Sequence, residues 1–479
     1  MGEVGDSPQL RELSPVAVPS VPEAGREVEP SLINLTTKED AVEFTPLKNL
    51  VDEIAAKLAK LTDAPTVFLE AASYWLVSSL LGKFTEFGEG VGGLRWPNLW
   101  VILSSAPGLT RRSTVLSLAM KIYRQALLTY LKAKSPLADE EEVIEAINAH
   151  IIETGTPEGI IDHIEATPGR EFVIISAEFG RILEQITSRG PHAHYTAGTD
   201  VLLSKLYYGE PAIQDLSARK GKKQRRYLRP GIYATLLASM QEPWLYIRSQ
   251  HIRQGLLRRM LLIYVPEEAH DRWLPPIRPE LVNKDAILQE LAEMLADAML
   301  RLEEARKRER SPYVPLVATQ EAVEALNTIA HEADERARQE PTDLNLYRQN
   351  EWEVITKLAM LRAIGRWAVA GEVSYIIITP EDVREAQAFY ARATQYLRDV
   401  FARLGVSFNP RSLGDELLRY VYDLIKEAGS RGLLRSELLR KSRLPAWLLD
   451  AVLAQLGKAV QRVVERKELG RPVIRYVAA

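Results

Sequence analysis

The chain has 479 residues, 46% of them hydrophobic and 26% charged, with a formal net charge of −3. That length allows two or three domains, and the composition is that of a globular protein with enough apolar surface for a sizeable core. With 61 basic against 64 acidic residues, attraction for nucleic acid must come from a local patch. Cysteine is absent, which excludes disulfides, thiolate catalysis and Cys-ligated zinc or iron–sulfur sites. No apolar run is long enough to span a bilayer and no signal-peptide pattern opens the chain, so a cytoplasmic protein without membrane contact is expected.

Residues 1–45 carry Pro8, Pro15, Pro19, Pro22 and Pro30 among Glu, Ser and Val. So little clustered hydrophobicity cannot offset ordering entropy, which predicts a disordered tail, a tether or a partner-docking peptide. Residues 46–96 form a helical prelude: Leu50, Ile54, Leu58 and Leu61 recur at helical spacing, and Asp63 and Pro65 start a second, strongly apolar helix over 67–81. The glycines of 88–93 lack the spacing of a dinucleotide fingerprint.

Residues 98–120 read NLWVILSSAPGLTRRSTVLSLAM. An apolar strand over 99–103, a small-residue turn over 104–110 and a helix from 115 make the strand–loop–helix order of a phosphate-binding loop. There, backbone N–H groups and the helix dipole face an anion. Aligned on Ser113, the usual lysine position holds Arg112, the preceding glycine position holds Arg111, and Ala106 stands at the first glycine. The competing reading is an ordinary strand-to-helix turn with a basic surface patch. Helices are expected to about residue 133, over 139–153, and from the capped turn at 154–166.

A second apolar strand, 172–175, ends in Ser176-Ala177-Glu178-Phe179-Gly180. An acid at the C-terminal end of a buried strand is where an α/β sheet places chemistry, and Glu178 suits a base that orients water against a γ-phosphate. A carboxylate near a helix N-cap is the alternative. His192 and His194 form an isolated H-x-H in a Gly/Pro-flanked loop, read as solvated and not as a metal site.

Residues 213–230, IQDLSARKGKKQRRYLRP, predict a β-hairpin around Gly221. Arg219, Lys220, Lys222, Lys223, Arg225, Arg226 and Arg229 crowd this segment, a local signal for phosphate-backbone contact, and Tyr227 could add stacking. The alternative is a solvated loop. A third strand, 232–238, leads to Ser239, Gln241 and Pro243, and a fourth, 256–265, contains Arg258 and Arg259 before its most apolar part. A long helix over 286–310 follows. Residues 321–404 are helical throughout except for an interruption at 374–379. Within them Arg348 begins a helix whose buried stripe is Val354, Leu358, Leu361 and Ile364. The last segment predicts helices over 413–428, 435–441 and 446–456, then strands over 460–466 and 472–477, the pattern of a winged helix. Its third, base-reading helix bears Asp450 and one lysine, while the wing carries Arg462, Arg466, Lys467 and Arg471, so DNA binding and protein docking are both open.

Taken together and in this order, the segments resemble the AAA+ core of the minichromosome maintenance replicative helicases. They also resemble a broad family of phage- and mobile-element-encoded primase/helicase-associated P-loop proteins. SAPGLTRRST stands at Walker A and FVIISAEF at Walker B; the basic hairpin precedes ATLLASMQEP as the pre-sensor-1 hairpin precedes sensor 1, which carries Gln241. GLLRRMLLIYV is similar to the arginine-finger segment and places the finger at Arg259; YRQNEWEVITKLAMLRA is similar to the sensor 2 helix and gives Arg348 that role. The resemblance spans roughly 99–479 and implies an α/β AAA+ core over 97–285, a helical lid over 286–410 and a winged helix over 411–479. It further implies a ring, a hexamer, around DNA, with ATP and Mg²⁺ between subunits. ATP would lie on Pro107, Gly108, Arg111, Arg112, Ser113 and Thr114, with Ser113 on the metal, Glu178, Gln241 and Arg348 catalytic, and Arg259 supplied in trans. The winged helix or the tail could hold a replication partner. Two departures stand out: Arg112 is planar and bulkier than the usual lysine, and Ala177 replaces the aspartate that helps hold Mg²⁺. They motivate the alternative of a degenerate, non-hydrolysing DNA-binding scaffold, initiator or helicase loader; a winged-helix transcription regulator is a third reading.

Overall fold

The structure is a computed structural model that describes residues 49–478 apart from 89–93, 107–109, 154–156, 188–198, 217–223, 276–282, 340–341, 371–374, 409–414, 443, 445 and 466–472. The expected disordered tail therefore lies outside the described residues. The chain enters through helix Leu50–Leu61, whose Asn49 side chain accepts from the Val51 N–H as an N-cap. Helix Thr66–Leu80 is buried on nearly its whole circumference, as its lack of a polar face requires. Strand β1 (Thr85–Phe87) follows.

The centre is an α/β sheet. Along the chain come β2 (Trp100–Ser105), β3 (Ile151–Ile152), β4 (Glu171–Ser176), the hairpin strands β5 (Ala212–Leu216) and β6 (Gln224–Leu228), then β7 (Tyr233–Met240) and β8 (Leu261–Val265). Five of them form one wholly parallel sheet in the order β3-β4-β7-β2-β8. A parallel sheet has to be covered on both faces, and its strands read as unbroken apolar runs for that reason. In β2, Val101 and Leu103 join one core with the following helix, Arg112–Lys134; Trp100 and Ile102 join the opposite core with helix Phe179–Thr187.

The expected strands are all present with shifted ends, and three features differ. The helix expected over 139–153 stops at Ala149, and Ile151–Ile152 pair with β4 as an edge strand. Residues Leu257–Arg259 form a 3-10 turn before β8, so both arginines precede the strand. A second parallel sheet was not expected: β9 (Val314–Ala318) lies between β1 and β10 (Ile376–Ile378), with Phe87 opposite Leu316 and Leu316 opposite Ile376. Residues on both sides of the expected boundaries at 96/97 and 285/286 also share one core. Trp75, Leu118, Met299 and Leu361, from prelude, sheet region and helical region, belong to it. The reason is that Thr66–Leu80 and Glu351–Ala370 are buried over most of their circumference, which takes neighbours on all sides.

At the C-terminus, helices Asp415–Glu427, Arg435–Ser442 and Ala446–Leu456 pack around Val421, Ile425, Leu438, Leu449 and Val452. They are joined by a small antiparallel sheet of β11 (Leu433–Leu434), β12 (Val460–Glu465) and β13 (Val473–Ala478), in the order β11-β13-β12. Asp450 makes a bidentate pair with Arg435 at 2.9 and 2.7 Å. No helix among the described residues is long and apolar enough to cross a membrane.

A buried polar chain ties the start of β2 to the helical region. Lys357 donates to the Asn98 carbonyl at 3.2 Å and to its Oδ1 at 2.9 Å, and lies over the Tyr207 ring. Glu353 sits 3.8 Å away and accepts from Tyr208 and Asn350. Burial pushes the Lys357 ammonium down to about 7 from its ordinary 10.5, with Glu353 opposing. His251 is held neutral, accepting the Arg248 N–H on Nδ1 and directing Nε2 at the Leu183 carbonyl; burial lowers it from 6.5 to about 4. Between each pair of values the unfolded chain holds the proton and the folded chain does not, so stability rises with pH through both windows. Chemical denaturation across pH should show unfolding free energy climbing from pH 4 to 6.5 and again above 7; the second rise should flatten in Lys357→Met.

Candidate functional site

Strands β2 and β7 are neighbours whose chains leave to opposite faces of the sheet, the helix after β2 packing in one core and the helices after β7 in the other. A crevice at the C-terminal ends of such a pair is where open α/β sheets bind ligands. Its floor is polar, and small side chains at the strand ends make it so. Ser104 Oγ donates to the Gln241 carbonyl at 2.6 Å, Ser105 is hydrogen-bonded to Thr110, and Ser239 Oγ donates to the Ala177 carbonyl at 2.8 Å.

Arg112, the first residue of helix Arg112–Lys134, reaches back over this floor. Its Nη1 donates to the Ser105 carbonyl at 2.9 Å and also to that of Met240, stitching the ends of β2 and β7 together. Burial lowers its pKa, with Glu242 and Tyr246 opposing. Ser113 and Thr114 are exposed on the first helical turn. Arg111, immediately before the helix, has φ 52° and ψ 23°, a left-handed conformation that favours glycine. The backbone therefore makes, with an arginine, the turn expected at the glycine position. Its Nε donates to Asp63 Oδ1 at 3.1 Å, an exposed pairing that anchors it only weakly.

Glu178 lies on the turn after β4, beside β7; its side chain is 61% exposed and ion-paired with Arg181 at 2.7 Å. Gln241, at the end of β7, is exposed and accepts from the Tyr246 hydroxyl at 3.3 Å. Tyr246 in turn lies against Gly180, where a Cβ would stand 2.6 Å from the ring, so no larger residue fits under it. The structure thus gathers Arg111, Arg112, Ser113, Thr114, Glu178 and Gln241 at one edge of the sheet. Pro107 and Gly108 lie outside the described residues. Sequence reasoning missed Ser104, Ser105, Thr110, Ser239 and Tyr246; the run of small hydroxyls closing two apolar strands was the signal for most of them.

Arg259 and Arg348 are at the opposite edge. Arg259 precedes β8, donates to the Gly255 carbonyl at 2.6 Å and stacks over the Tyr208 ring at 4.9 Å. Arg348 follows Tyr347, whose hydroxyl donates to the Met260 carbonyl at 2.8 Å and accepts the Leu262 N–H at 3.0 Å. The length of β8, roughly 15 to 20 Å, separates Arg259 from the crevice of its own chain, further than an arginine side chain spans.

The basic hairpin is present as β5 and β6, paired antiparallel with Asp215 opposite Arg225 and Gln214 opposite Arg226. Arg219, Lys220, Lys222 and Lys223 lie outside the described residues, as do Arg466, Lys467 and Arg471 of the expected wing and both histidines of the H-x-H. Arg229 has partners within the chain. Its Nη2 donates to the carbonyls of Ile164, Thr167 and Gly169 at 3.2, 3.0 and 2.5 Å, satisfying the end of helix Pro157–Ala166. That guanidinium caps a helix end through Nη2. Among the described residues, no group of three or more His, Asp or Glu side chains could hold a metal.

No protein-family model matches the chain, and no curated protein matches it. The geometry of the crevice is what bears on function.

Two stability measurements follow. Arg229→Ala should lower the unfolding free energy by about 1.5 to 3 kcal/mol, the worth of charged hydrogen bonds, here to main-chain carbonyls at a helix end. Arg111→Gly should be neutral or stabilising by up to about 1 kcal/mol, because glycine relieves the left-handed backbone, whereas Arg111→Val should destabilise.

Proposed function

We propose that the chain is an AAA+-type P-loop protein of replicative-helicase kind, binding ATP in the β2–β7 crevice and working as a ring on DNA. One observation carries the reading. The strand–loop–helix of 98–120 ends at the topological switch point of a parallel sheet, with Arg112 in the crevice and Glu178 and Gln241 on the next strands. The left-handed turn at Arg111 supports it, since a phosphate-cradling loop needs that backbone there.

In this reading the helix N-terminus and the loop N–H groups hold the phosphates, and Arg112 adds positive charge at their base. Ser113, exposed on the first helical turn, would offer its hydroxyl to the metal. Mg²⁺ supplies charge neutralisation on the phosphate oxygens. The donor set fits it only as a metal carried on ATP with its waters, because among the described residues the Ser113 and Thr114 hydroxyls and the exposed Glu178 carboxylate are what the crevice edge offers. Glu178, solvent-facing after β4, orients the attacking water. Because Arg259 and Arg348 sit at the far edge, they would serve the nucleotide of a neighbouring subunit, which makes a ring, a hexamer in the family resembled, the fitting assembly. The hairpin of β5 and β6 would point its basic tip at the DNA backbone, and the C-terminal unit, a winged helix in this reading, would dock DNA or a replication partner.

A second reading rests on Arg112. Its guanidinium is turned onto two main-chain carbonyls, and Glu178 is held by Arg181, so a non-hydrolysing AAA+ scaffold or loader would show the same crevice.

Steady-state ATPase assays with and without single-stranded DNA separate the two. A motor predicts DNA-stimulated turnover that falls about a hundredfold in Glu178→Gln and about a thousandfold in Arg259→Ala. Nucleotide binding without turnover selects the scaffold; no nucleotide binding removes both. Neutralising Arg219, Lys220, Lys222, Lys223, Arg225 and Arg226 should abolish salt-sensitive DNA binding in either case.

A further inference from the structure

The hairpin of β5 and β6 has a root at which its incoming and outgoing chains meet. Helix Thr199–Tyr208 ends there, the Gly231 N–H donates to the Gly209 carbonyl at 2.8 Å, and Ala212 pairs with Leu228 next along. Asn98 grips both chains. Its Nδ2 donates to the Tyr207 carbonyl on the incoming side at 2.8 Å and to the Ala234 carbonyl on the outgoing side at 3.1 Å. With the amide nitrogen so engaged, Oδ1 needs its own donor, and Lys357 Nζ supplies it at 2.9 Å. Lys357 is 2% exposed, belongs to helix Glu351–Ala370, and holds its ammonium 3.4 Å from the centre of the Tyr207 ring. Glu353 Oε1, 3.8 Å away, meets the charge and has no hydrogen bond of its own, while Oε2 accepts from Tyr208. Apolar packing would join these elements at lower cost. What the charged pair adds is a fixed amide at the hairpin root and a proton that titrates.

We infer that Lys357 is a positioning residue for the basic hairpin: its ammonium fixes Asn98 and, with Glu353, Tyr207 and Tyr208, and so the chains that carry β5 and β6. The inference rests on the reading of that hairpin as the DNA contact. Burial brings the ammonium down to about 7, with Glu353 opposing and the charge of Arg259 adding to the fall. The clamp therefore changes charge close to neutral pH. Above that point the amine still donates a hydrogen bond but loses its attraction to the Tyr207 ring. Glu353 is then left with no cation in ion-pair range among the described residues, a buried negative charge at the hairpin root. Both changes disfavour a polyanion on the hairpin.

Affinity of the full chain for single-stranded DNA with a pH-insensitive label, measured across neutral pH at constant ionic strength, tests it. Wild type should bind about tenfold more weakly well above the midpoint than well below it, the midpoint lying near 7. Lys357→Met should lose this dependence and bind throughout as weakly as wild type does at high pH. Glu353→Gln removes the group that keeps the proton on Lys357 and should move the midpoint below that of wild type; a pair that acts by packing alone would not shift it. A flat wild-type profile overturns the inference, as does the same profile in wild type and Lys357→Met. Should Lys357→Met not fold, an unshifted midpoint in Glu353→Gln overturns it by itself. An Arg225→Gln/Arg226→Gln variant separates the two readings. If it binds DNA as wild type does, the hairpin is not the contact and both fall. If it binds weakly while the pH profile ignores Lys357, this inference alone falls.

Discussion

Burial of β2 on both faces is the constraint from which the rest of the structure follows. With Val101 and Leu103 in one core and Trp100 and Ile102 in the other, neither face of the strand can meet water. The sheet must therefore be clothed by helices on both sides, and its connections must divide between them. That division parts the chain at the ends of β2 and β7 and creates a crevice floored by Ser104, Ser105 and Ser239, the only polar side chains those strand ends bury. Arg112 closes the gap by bonding both strands, so the group expected to meet a ligand is also part of the packing that shapes the site.

The two edges of the sheet differ in character. The C-terminal edge joins a helix N-terminus, the guanidiniums of Arg111 and Arg112, and the exposed carboxylate of Glu178. The N-terminal edge gathers Arg258, Arg259 and Arg348 around buried polar groups, with Arg258 donating to Gln349 at 2.9 Å. Lys357, Glu353, Tyr208 and Asn98 run from Arg259 to the first residues before β2. A buried chain of this kind is expensive when one member is lost, which ties the position of Arg259 to the strand that bears the crevice.

Much of this was legible locally. The four long core strands announced themselves as apolar runs, and the C-terminal helices and strands fell within a residue or two of their expected limits. Arg111 and Arg112 were rightly marked as the unusual residues of the loop. The second parallel sheet was not legible, because β1 and β10 are three residues each and owe their strand conformation to β9. The edge strand Ile151–Ile152 was absorbed into a helix, since its two isoleucines continue a helical period and only pairing with Val173 and Ile174 makes them extended. Arg229 was counted with its basic neighbours because composition does not say which carbonyls a guanidinium will meet.

The amino-acid sequence by itself determined most of the long helices and the longer strands and which of their side chains must be buried, because hydrophobic period and capping chemistry act over a few residues. It also determined the residue types offered for chemistry: Arg112, Ser113, Glu178, Gln241, Arg259 and Arg348. Tertiary structure alone decided that the first four share one edge and the last two the other, that Arg229 caps a helix, and that Lys357 meets Asn98. Those outcomes depend on strand order and on contacts between segments remote in the chain, which no local pattern encodes.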